Sequence, residues 1–539
     1  MTWNTRAPRP ADRNTVFRRL PVELATGQRY GGRHRLRVLY RTRDLVVLGL
    51  GVMIGSGIFT ISGAQAAGTA GPAVIVSFVL AGGACLLAAL AYAELSSIVP
   101  VAGSAYSFTY VAFGEVWAWI VGWALIAELL LAASVVARAW SLYAAQALAD
   151  FGVPVPAAVA GVMGRQTGPD VPALVLLLLL VALLATGGRL GLRTLRVMVA
   201  AKLLVIALVI GTGLRYFRPA NLVPFVPPAR PAPASGGPTV LNAVAGHLTG
   251  GSPQVFGVWG VLAAAPAIAF AYIGFDLVAT ASEETEDAPR KVPRGILYAL
   301  LAAVVLYLGV ALAMVGMVSY RRLDPARPAL GAAFAMVGAG AMGKVVDVGA
   351  VLGLTSVVLV VLISLTRVVF SMSRDGLLPS ALSGMSRFQA PSRATAVAGG
   401  AAVVMSQVLD VFTLQELVVV GTLFAFLFVA AAVPVLRRDR PDLHRPFRMP
   451  AATALSTLTL VAVGWLLLNL KVRTWACFGA WMAAGLAVYL LYGRRRSRMR
   501  ALLDEPPPAA VRLDAPPPAA PPPVPLAAPP PSPGGRHRR

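Results

Sequence analysis

Residues 49–59 read GLGVMIGSGIF, a run of small residues in the middle of the first long apolar stretch of the chain. A helix that crosses a membrane satisfies its own backbone polar groups, so a break in mid-membrane needs a reason. A second break is predicted at residues 271–276, AYIGFD, inside a later apolar stretch. Close packing through small residues is the alternative interpretation of the first break. Taken together, the two breaks predict a pair of discontinuous helices.

The composition around these breaks is that of a membrane protein. Of 539 residues, 57% are hydrophobic and only 13% are charged, and the mean hydropathy is +0.72. Soluble chains are about 45–50% apolar and about 25% charged. Soluble enzymes, nucleic-acid-binding domains and secreted disulfide scaffolds are therefore excluded. Cys85 and Cys477 both lie in apolar segments, so neither a disulfide nor a metal framework is indicated, and no cleavable signal peptide is visible.

The apolar runs predict an all-α polytopic membrane protein of about twelve transmembrane helices, of which helices 1 and 6 are broken. The predicted spans are 44–66, 73–98, 116–146, 171–187, 195–214, 257–281, 294–318, 345–372, 394–410, 413–436, 450–470 and 475–493. The third span is too long for one perpendicular helix, so it is expected to tilt or to extend beyond the bilayer. Broken helices at corresponding places of two five-span halves are typical of inverted-repeat secondary transporters.

Basic residues predict the orientation of the chain. The predicted units are a basic cytoplasmic N-terminal arm (1–43), a first repeat (44–214), an extracellular loop (215–256), a second repeat (257–436), a cytoplasmic loop (437–449), two further spans (450–493) and a basic, then Pro-rich, tail (494–539). With the N-terminus inside, cytoplasmic segments hold thirty Lys and Arg against ten in the opposite loops. Both termini are therefore predicted to be cytoplasmic. Fourteen prolines in residues 505–539 predict a disordered tail.

Helix breaks permit a particular kind of binding chemistry. Freed N–H groups at the start of a half-helix, together with the positive end of its dipole, suit a carboxylate. Freed carbonyls at the end of another half-helix suit an ammonium group. A site with both recognises a zwitterion, and amino acids are the obvious class. The predicted carboxylate nest is Gly55, Ser56 and Gly57, and the predicted amino-group partners are Met53, Phe270, Ala271 and Ile273.

Five motifs in order resemble the amino acid–polyamine–organocation superfamily, and within it the cationic amino acid transporter family in its bacterial twelve-span form. They are GLGVMIGSGIFTISG, AYAELSSIVPVAGSAYSF, GEVWAWIVGWALIAELLLAASVVARAWS, FAYIGFDLVATASEETEDAPRKVPRGI and SMSRDGLLP. The resemblance covers about residues 40–495. It implies a leucine-transporter-like fold of two inverted five-helix repeats plus two additional helices, and alternating-access import of amino acids across the inner (plasma) membrane.

Lys202 is the lone charge inside the fifth span. Intramembrane ionisable residues are functional candidates by default, although a lysine near the membrane edge can also snorkel to the surface. By the family resemblance, a lysine here replaces a sodium ion and reaches the carbonyls of the broken first helix, with Thr355 and Ser356 of the eighth span as partners. Lys202 is thus the candidate for proton coupling. No cofactor and no sodium requirement are expected.

Glu128 lies in the middle of the third span, and the resemblance places it near the substrate. The predicted side-chain pocket consists of Glu128, Tyr272, Val361 and Leu362. A structural ion pair with Arg138 is disfavoured, because helix neighbours are three or four residues apart. One carboxylate favours a cationic side chain, while the bulky apolar residues 357–363 favour a small neutral one. The sequence leaves both substrate classes open.

Other charges lie near the predicted cytoplasmic ends of the spans. Asp276, Glu283, Glu284 and Arg367 are candidates for gate ion pairs or for a solvated face, and Glu94 for a structural or gating role. Dinucleotide, ATP and metal sites are rejected, because the required glycine, lysine and histidine spacings are missing. The chain is predicted not to be an enzyme. An amino acid exchanger and an amino-acid receptor without net transport are the alternatives, and the expected partners are the substrate, the lipid bilayer and, as an option, a small membrane subunit.

Overall fold

The computed structural model describes residues 19–25, 40–55, 57–186, 192–231, 239–243, 254–323, 329–386 and 390–497. Ser56 of the predicted carboxylate nest, most of the arm 1–43 and the Pro-rich tail lie outside these residues. The described residues of the arm include α1 (Val22–Ala25), and just before it the Leu20 N–H donates to the carbonyl of Tyr110, in the helix Ala105–Phe113, at 3.2 Å.

The first half of the bundle contains two halves of a broken helix and four further spans. The broken span consists of α2 (Thr42–Met53) and α3, which is a π-helix (Gly57–Ile61), an α-helical turn (Ser62–Gln65) and a second π-helix (Ala66–Ala70). After a 3-10 turn (Gly71–Ala73) come α4 (Val74–Ile98), α5 (Ala105–Phe113), α6 (Glu115–Asp150), α7 (Ala157–Ala160), α8 (Val171–Ala185) and α9 (Leu192–Arg215).

The second half repeats this order of elements. The sixth span is α10 (Gly257–Tyr272) followed by the short α11 (Leu277–Thr280), and then come α12 (Ala288–Met317), α13 (Ala329–Met336), α14 (Gly340–Arg374), α15 (Ser392–Val408) and α16 (Val411–Asp439). The last spans are α17 (Ala452–Leu468) and α18 (Val472–Val488), extended by a π-helix (Tyr489–Gly493) and α19 (Arg494–Arg496).

Short connectors complete the described chain. They are 3-10 turns at Pro219–Leu222, Ser282–Glu284, Tyr320–Arg322 and Ser380–Ser383, and a two-stranded antiparallel sheet of β1 (Arg230–Pro231) and β2 (Gln254–Val255). This small sheet lies in the predicted extracellular loop, where no strand was expected.

The helical spans confirm the predicted fold class, an all-α membrane protein with many spans. Eight helical stretches among the described residues are long and apolar enough to cross a membrane, and two shorter apolar helices, α8 and α17, accompany them. Each of the twelve predicted spans falls on a helix, and the predicted interruptions of spans 1 and 6 are confirmed. The relation of the two halves as inverted repeats stays a prediction.

Burial follows position in the bundle. In the most apolar stretch of α6, 89% of the residues are buried. In the most apolar stretch of the last span, residues 472–496, only 22% are buried. Helix α6 packs on both α14 and α16, so it lies at the centre, where its side chains meet protein. A helix with apolar residues on every side is either a core helix or lipid-facing. The central position of α6 is what places Glu128 next to the two broken helices.

Candidate functional site

The broken first span changes conformation at its glycines. Helix α2 ends at Met53, and the Gly55 N–H turns back to donate to the Met53 carbonyl at 2.8 Å. Helical structure resumes at Gly57. The freed groups are backbone carbonyls at the end of α2 and N–H groups at the start of α3. These are the two kinds of group that a zwitterion requires.

The broken sixth span changes conformation directly after Tyr272. Ile273 is extended, and Gly274 has φ +127°, a backbone conformation that a side chain disfavours. The Gly274 N–H donates to Asp276 Oδ1 at 3.1 Å. Asp276 therefore stabilises the turn between α10 and α11, and no ion pair of Asp276 is formed among the described residues. The suggestion that Asp276 joins a gate ion pair is corrected accordingly.

The two breaks pack against each other through glycine. A Cβ at Gly57 would lie 2.6 Å from the Ala271 Cα, and a Cβ at Gly274 would lie 2.6 Å from Val52 Cγ1. Both distances are shorter than atomic contact allows, so a side chain at either position would separate the broken helices. The glycines thus bring the ends of α2, α3 and α10 together at one place.

A small cavity of about 30 Å³ lies at this place. Volumes of this order hold only one or two water molecules, so the site has little free volume at its centre. Its lining includes seven of the predicted site residues, namely Met53, Gly55, Gly57, Glu128, Phe270, Ile273 and Val361. The remaining lining is apolar: Val52, Leu129, Ala132, Val136, Leu277, Val357 and Val418.

Two predicted pocket residues do not line this cavity. The Tyr272 hydroxyl donates to the Phe78 carbonyl at 3.1 Å, and its ring lies against Gly82 of α4. Leu362 follows Val361 on α14 and is buried elsewhere, since successive helical residues point in different directions. The prediction is corrected for both residues. Val357, one turn before Val361, takes the place expected for Leu362.

Tyr307 of α12 is a site residue that the sequence did not reveal. Its buried hydroxyl lies between the Met53 and Ala271 carbonyls, at 3.0 Å from the latter, and thereby bridges the two breaks. In the sequence, Tyr307 is one aromatic residue in an apolar run. No spacing rule distinguishes it from a tyrosine that only packs. The carbonyls of Met53 and Ala271, predicted to bind an amino group, thus already accept a hydrogen bond from Tyr307.

Lys202 is buried, with 1% of its surface exposed. Its ammonium group donates to the Gly51 carbonyl at 2.7 Å and to the Ile54 carbonyl at 2.9 Å. These carbonyls belong to the last turn and the cap of α2, where the helix leaves its acceptors free. The position agrees with the expected contact to the broken first helix, and the ammonium does not snorkel. Its role in proton coupling stays a prediction.

The expected hydroxyl partners of Lys202 bind elsewhere. Thr355 donates to the Val351 carbonyl at 2.9 Å and Ser356 to the Gly353 carbonyl at 2.9 Å, both within α14. No hydrogen bond joins either hydroxyl to Lys202 in the described structure. This prediction is corrected: the aliphatic stem of Lys202 packs on Gly353 instead, where a Cβ would lie 3.0 Å from Lys202 Cε.

Glu128 is fully buried beside the cavity, and neither carboxylate oxygen has a hydrogen-bond partner among the described residues. Arg138 does not pair with it. The Arg138 guanidinium instead donates to four backbone carbonyls, those of Arg165, Gly168, Ser406 and Leu409, at 2.6–3.0 Å. An unpaired buried carboxylate is costly. Thr422 of α16 interacts with Glu128, but its hydroxyl donates to the Val418 carbonyl at 3.0 Å, so Glu128 has no donor of its own among the described residues.

The two sides of the cavity differ. On the predicted external side, a vestibule of about 410 Å³ reaches down to Phe270, which also lines the small cavity. On the predicted cytoplasmic side, ion pairs connect the helices: Arg374 to Glu283 at 2.9 Å, Arg367 to Glu284 at 2.6 Å and Arg437 to Glu94 at 2.6 Å. The vestibule thus reaches Phe270 from one side, and on the other side ion pairs connect the helices.

Glu283 shows how strongly these charges are held. Burial alone would raise its pKa, but the Arg374 guanidinium bonds both carboxylate oxygens and the Ala102 N–H donates to one of them at 3.1 Å. Together they hold the pKa of Glu283 below its ordinary value. Glu283 therefore stays ionised near neutral pH and keeps its ion pair.

Two broken helices that face each other in a membrane bundle, with a small cavity between them, define a transporter of the discontinuous-helix class. The chain belongs to the amino acid permease family, whose model matches residues 41–489. The family resemblance is thus confirmed, as is the expectation that the protein is a transporter and not an enzyme.

Three relatives show the range of this family. A methylthioribose transporter of Bacillus subtilis is 38% identical over 90% of this chain and 99% of its own length. The branched-chain amino acid permease BcaP of Bacillus subtilis is 36% identical over the same shares. A vacuolar cationic amino acid transporter 2 of Arabidopsis thaliana is 35% identical over 79% of this chain and 64% of its own length.

Proposed function

We propose that this permease imports neutral amino acids with small or branched aliphatic side chains across the plasma membrane, by proton-coupled symport. The observation that carries the proposal is the lining of the central cavity. Apart from Glu128 and the backbone of the two breaks, its side chains are hydrocarbon or thioether. Each buried methylene of a substrate contributes about 0.8 kcal/mol in such surroundings.

Recognition of the substrate backbone follows from the helix ends. The start of α3 at Gly57 offers N–H groups and the positive end of a helix dipole to the carboxylate. The ends of α2 and α10 offer carbonyls to the amino group. The Met53 carbonyl already accepts from both the Gly55 N–H and the Tyr307 hydroxyl, so the amino group is expected to displace that hydroxyl or to use the second lone pair of the Ala271 carbonyl.

The two sides of the site support alternating access. Phe270 separates the vestibule from the cavity, so its movement would admit a substrate from outside. Release to the cytoplasm requires the Arg374–Glu283 and Arg367–Glu284 pairs to open. The thirty basic residues of the predicted cytoplasmic segments support this orientation, with both termini inside.

Lys202 supports the proton as the coupling ion. Its ammonium occupies the place between the Gly51 and Ile54 carbonyls where a small cation would otherwise bind. Loss of the proton would remove both charge-assisted hydrogen bonds and free the end of α2 to move. Such bonds contribute about 1.5–3 kcal/mol each. Protonation of Lys202 would thus hold α2 and α9 together, and deprotonation would release them.

A cationic amino acid is the second candidate substrate, and Glu128 favours it. The unpaired carboxylate faces the cavity, where a guanidinium or ammonium side chain would supply the missing partner. Protonated Glu128 would serve a neutral substrate equally well. Because one relative is a methylthioribose transporter, methylthioribose is a third compound to test. It has neither a carboxylate nor an ammonium group.

The test uses purified protein in liposomes, with labelled leucine and labelled arginine offered with and without an inward proton gradient. We expect gradient-dependent leucine uptake that survives Glu128→Gln and does not respond to a sodium gradient. Arginine uptake that is lost in Glu128→Gln would replace the neutral substrate by a cationic one. Uptake of methylthioribose without uptake of leucine would overturn recognition of the amino acid backbone.

The same preparation separates the other mechanisms. Leucine exchange without gradient-driven accumulation would identify an exchanger. Leucine binding without any flux would identify a receptor. Either result contradicts the proposed symport, although both keep the binding site between the two breaks.

A further inference from the structure

Asp347 is a buried carboxylate that the proposed transport site does not use. It lies near the start of α14, in the half of the bundle opposite the cytoplasmic ion pairs, and 1% of its surface is exposed. Neither of its oxygens accepts a hydrogen bond from a described N–H or hydroxyl group, and the Asp150 carboxyl lies within hydrogen-bonding reach. Ionised carboxylates without a donor are strongly disfavoured in apolar surroundings.

Two other helices supply neighbours of Asp347. From α13, Gly331 lies so close that a Cβ there would be 3.1 Å from Oδ1 and 3.3 Å from Oδ2. From α6, the charged neighbour is Asp150, and Tyr143 is a second titratable group nearby. Helix α13 carries no ionisable residue. Asp347 thus faces a like charge and a glycine backbone.

The remaining cations near this part of α14 are engaged elsewhere. The Lys344 ammonium, on the same helix, lies 5.4 Å from the centre of the Phe151 ring. Lys202 of α9 bonds the end of α2 and packs on Gly353, further along α14. No described cation therefore pairs with Asp347.

The close contact with Gly331 decides which ligand this carboxylate takes. A metal cation would need several oxygen ligands around it, and the backbone of α13 occupies the space on one side of both oxygens. A proton needs no such space. A proton shared by two adjacent carboxyl groups also removes their repulsion.

We propose that Asp347 is a proton-binding residue, whose neutral form lets α13 pack on α14 and whose ionised form loosens that packing. Helix α13 also packs on α3, the half of the broken first span that lines the vestibule. Proton binding at Asp347 is therefore linked to the external side of the substrate path. The role in transport rests on the proposed proton-coupled import, whereas the proton binding itself does not.

The test measures the packing of α13 without any transport. Ala333 of α13 is fully buried. An Ala333→Cys variant on a Cys477→Ser background, with the buried Cys85 retained, is labelled with a maleimide in lipid nanodiscs between about pH 5 and about pH 8. Thiol reactivity itself rises with pH, so the same protein carrying Asp347→Asn is the matched control.

We expect the labelling rate to rise more steeply with pH than the rate of the Asp347→Asn control does. The additional rise should be up to about tenfold per pH unit until Asp347 is fully ionised. With Asp347→Asn, only the intrinsic rise of the thiol should remain. Identical profiles in the two proteins would overturn the proposal. Failure of gradient-driven uptake together with a retained difference in labelling would overturn the proposed function and leave Asp347 as a proton-binding residue.

Two further variants keep the test decisive if Asp347→Asn does not fold. Asp150→Asn removes the repelling charge, so the rise in labelling should move to lower pH. An unchanged profile contradicts the carboxyl pair.

Gly331→Ala places a methyl group against both oxygens, so labelling should be fast at every pH. Slow labelling of that variant at low pH contradicts the packing of α13 on Asp347.

Discussion

Lys202 and Glu128 are both buried ionisable residues of membrane-spanning helices, yet their surroundings are opposite. Lys202 donates to two free carbonyls of the broken helix at 2.7 and 2.9 Å, whereas both oxygens of Glu128 are without a partner in the described structure. A satisfied buried charge stabilises the arrangement that surrounds it, and removal of one partner is costly. An unsatisfied one destabilises the protein until a proton or a ligand arrives. We therefore expect Lys202 to control the conformation of α2, and Glu128 to respond to whatever occupies the cavity.

The largest expected effect comes from Lys202→Met. The substitution leaves the Gly51 and Ile54 carbonyls without their donor, and each lost charge-assisted bond costs about 1.5–3 kcal/mol. Gradient-driven accumulation in liposomes should be abolished, while some exchange or binding remains. Lys344→Met is the matched control, because Lys344 is an exposed lysine on the same groove between α9 and α14. Normal pH-dependent uptake by Lys202→Met would refute its part in coupling.

Tyr307→Phe should have the next largest effect. The substitution removes the hydroxyl between the Met53 and Ala271 carbonyls without changing the volume of the ring. Loss of one buried donor costs about 1–3 kcal/mol, so uptake should fall by about tenfold or more.

The control for this prediction is Tyr272→Phe, whose hydroxyl is also buried and bonds the Phe78 carbonyl outside the cavity. Equal losses of uptake in the two variants, at equal thermal stability, would remove Tyr307 from the site.

The sequence predicted the spans and both breaks because hydropathy and glycine placement are local signals. The contact of Lys202 with the end of α2 was implied by the family resemblance, and the two hydrogen bonds to the Gly51 and Ile54 carbonyls agree with it. The direction in which each side chain points could not be predicted from such local signals. Tyr272 and Leu362 belong to helices that do line the site, but each lies on a different face from the cavity. Tyr307 was missed for the same reason, since its contacts join three helices that are distant in the sequence.

Glu128→Gln should change stability in the opposite direction from Lys202→Met. The amide keeps the shape of the side chain and removes the desolvated charge, so the free energy of unfolding should rise or stay constant, by no more than about 1–3 kcal/mol. Thermal unfolding in detergent near neutral pH, without substrate, measures this change. A clear loss of stability in Glu128→Gln would mean that the carboxylate has a structural partner, and the contrast between the two buried charges would not hold.

The smallest expected effect concerns Glu283. This residue is a useful reference for Glu128, because it is a carboxylate whose partner is in place. Its pKa in the folded protein lies below the ordinary value of 4.5, since the Arg374 pair and the Ala102 N–H outweigh the effect of burial. A lowered pKa means that the ion pair contributes stability above the unfolded pKa and loses it as the pH falls through the folded pKa. Thermal stability should therefore be unaffected near neutral pH and should decline below about pH 4.5. In Glu283→Gln, that part of the acid-dependent decline should disappear. If the two proteins lose stability in parallel as the pH falls, the Arg374–Glu283 pair does not hold the helices together on the predicted cytoplasmic side.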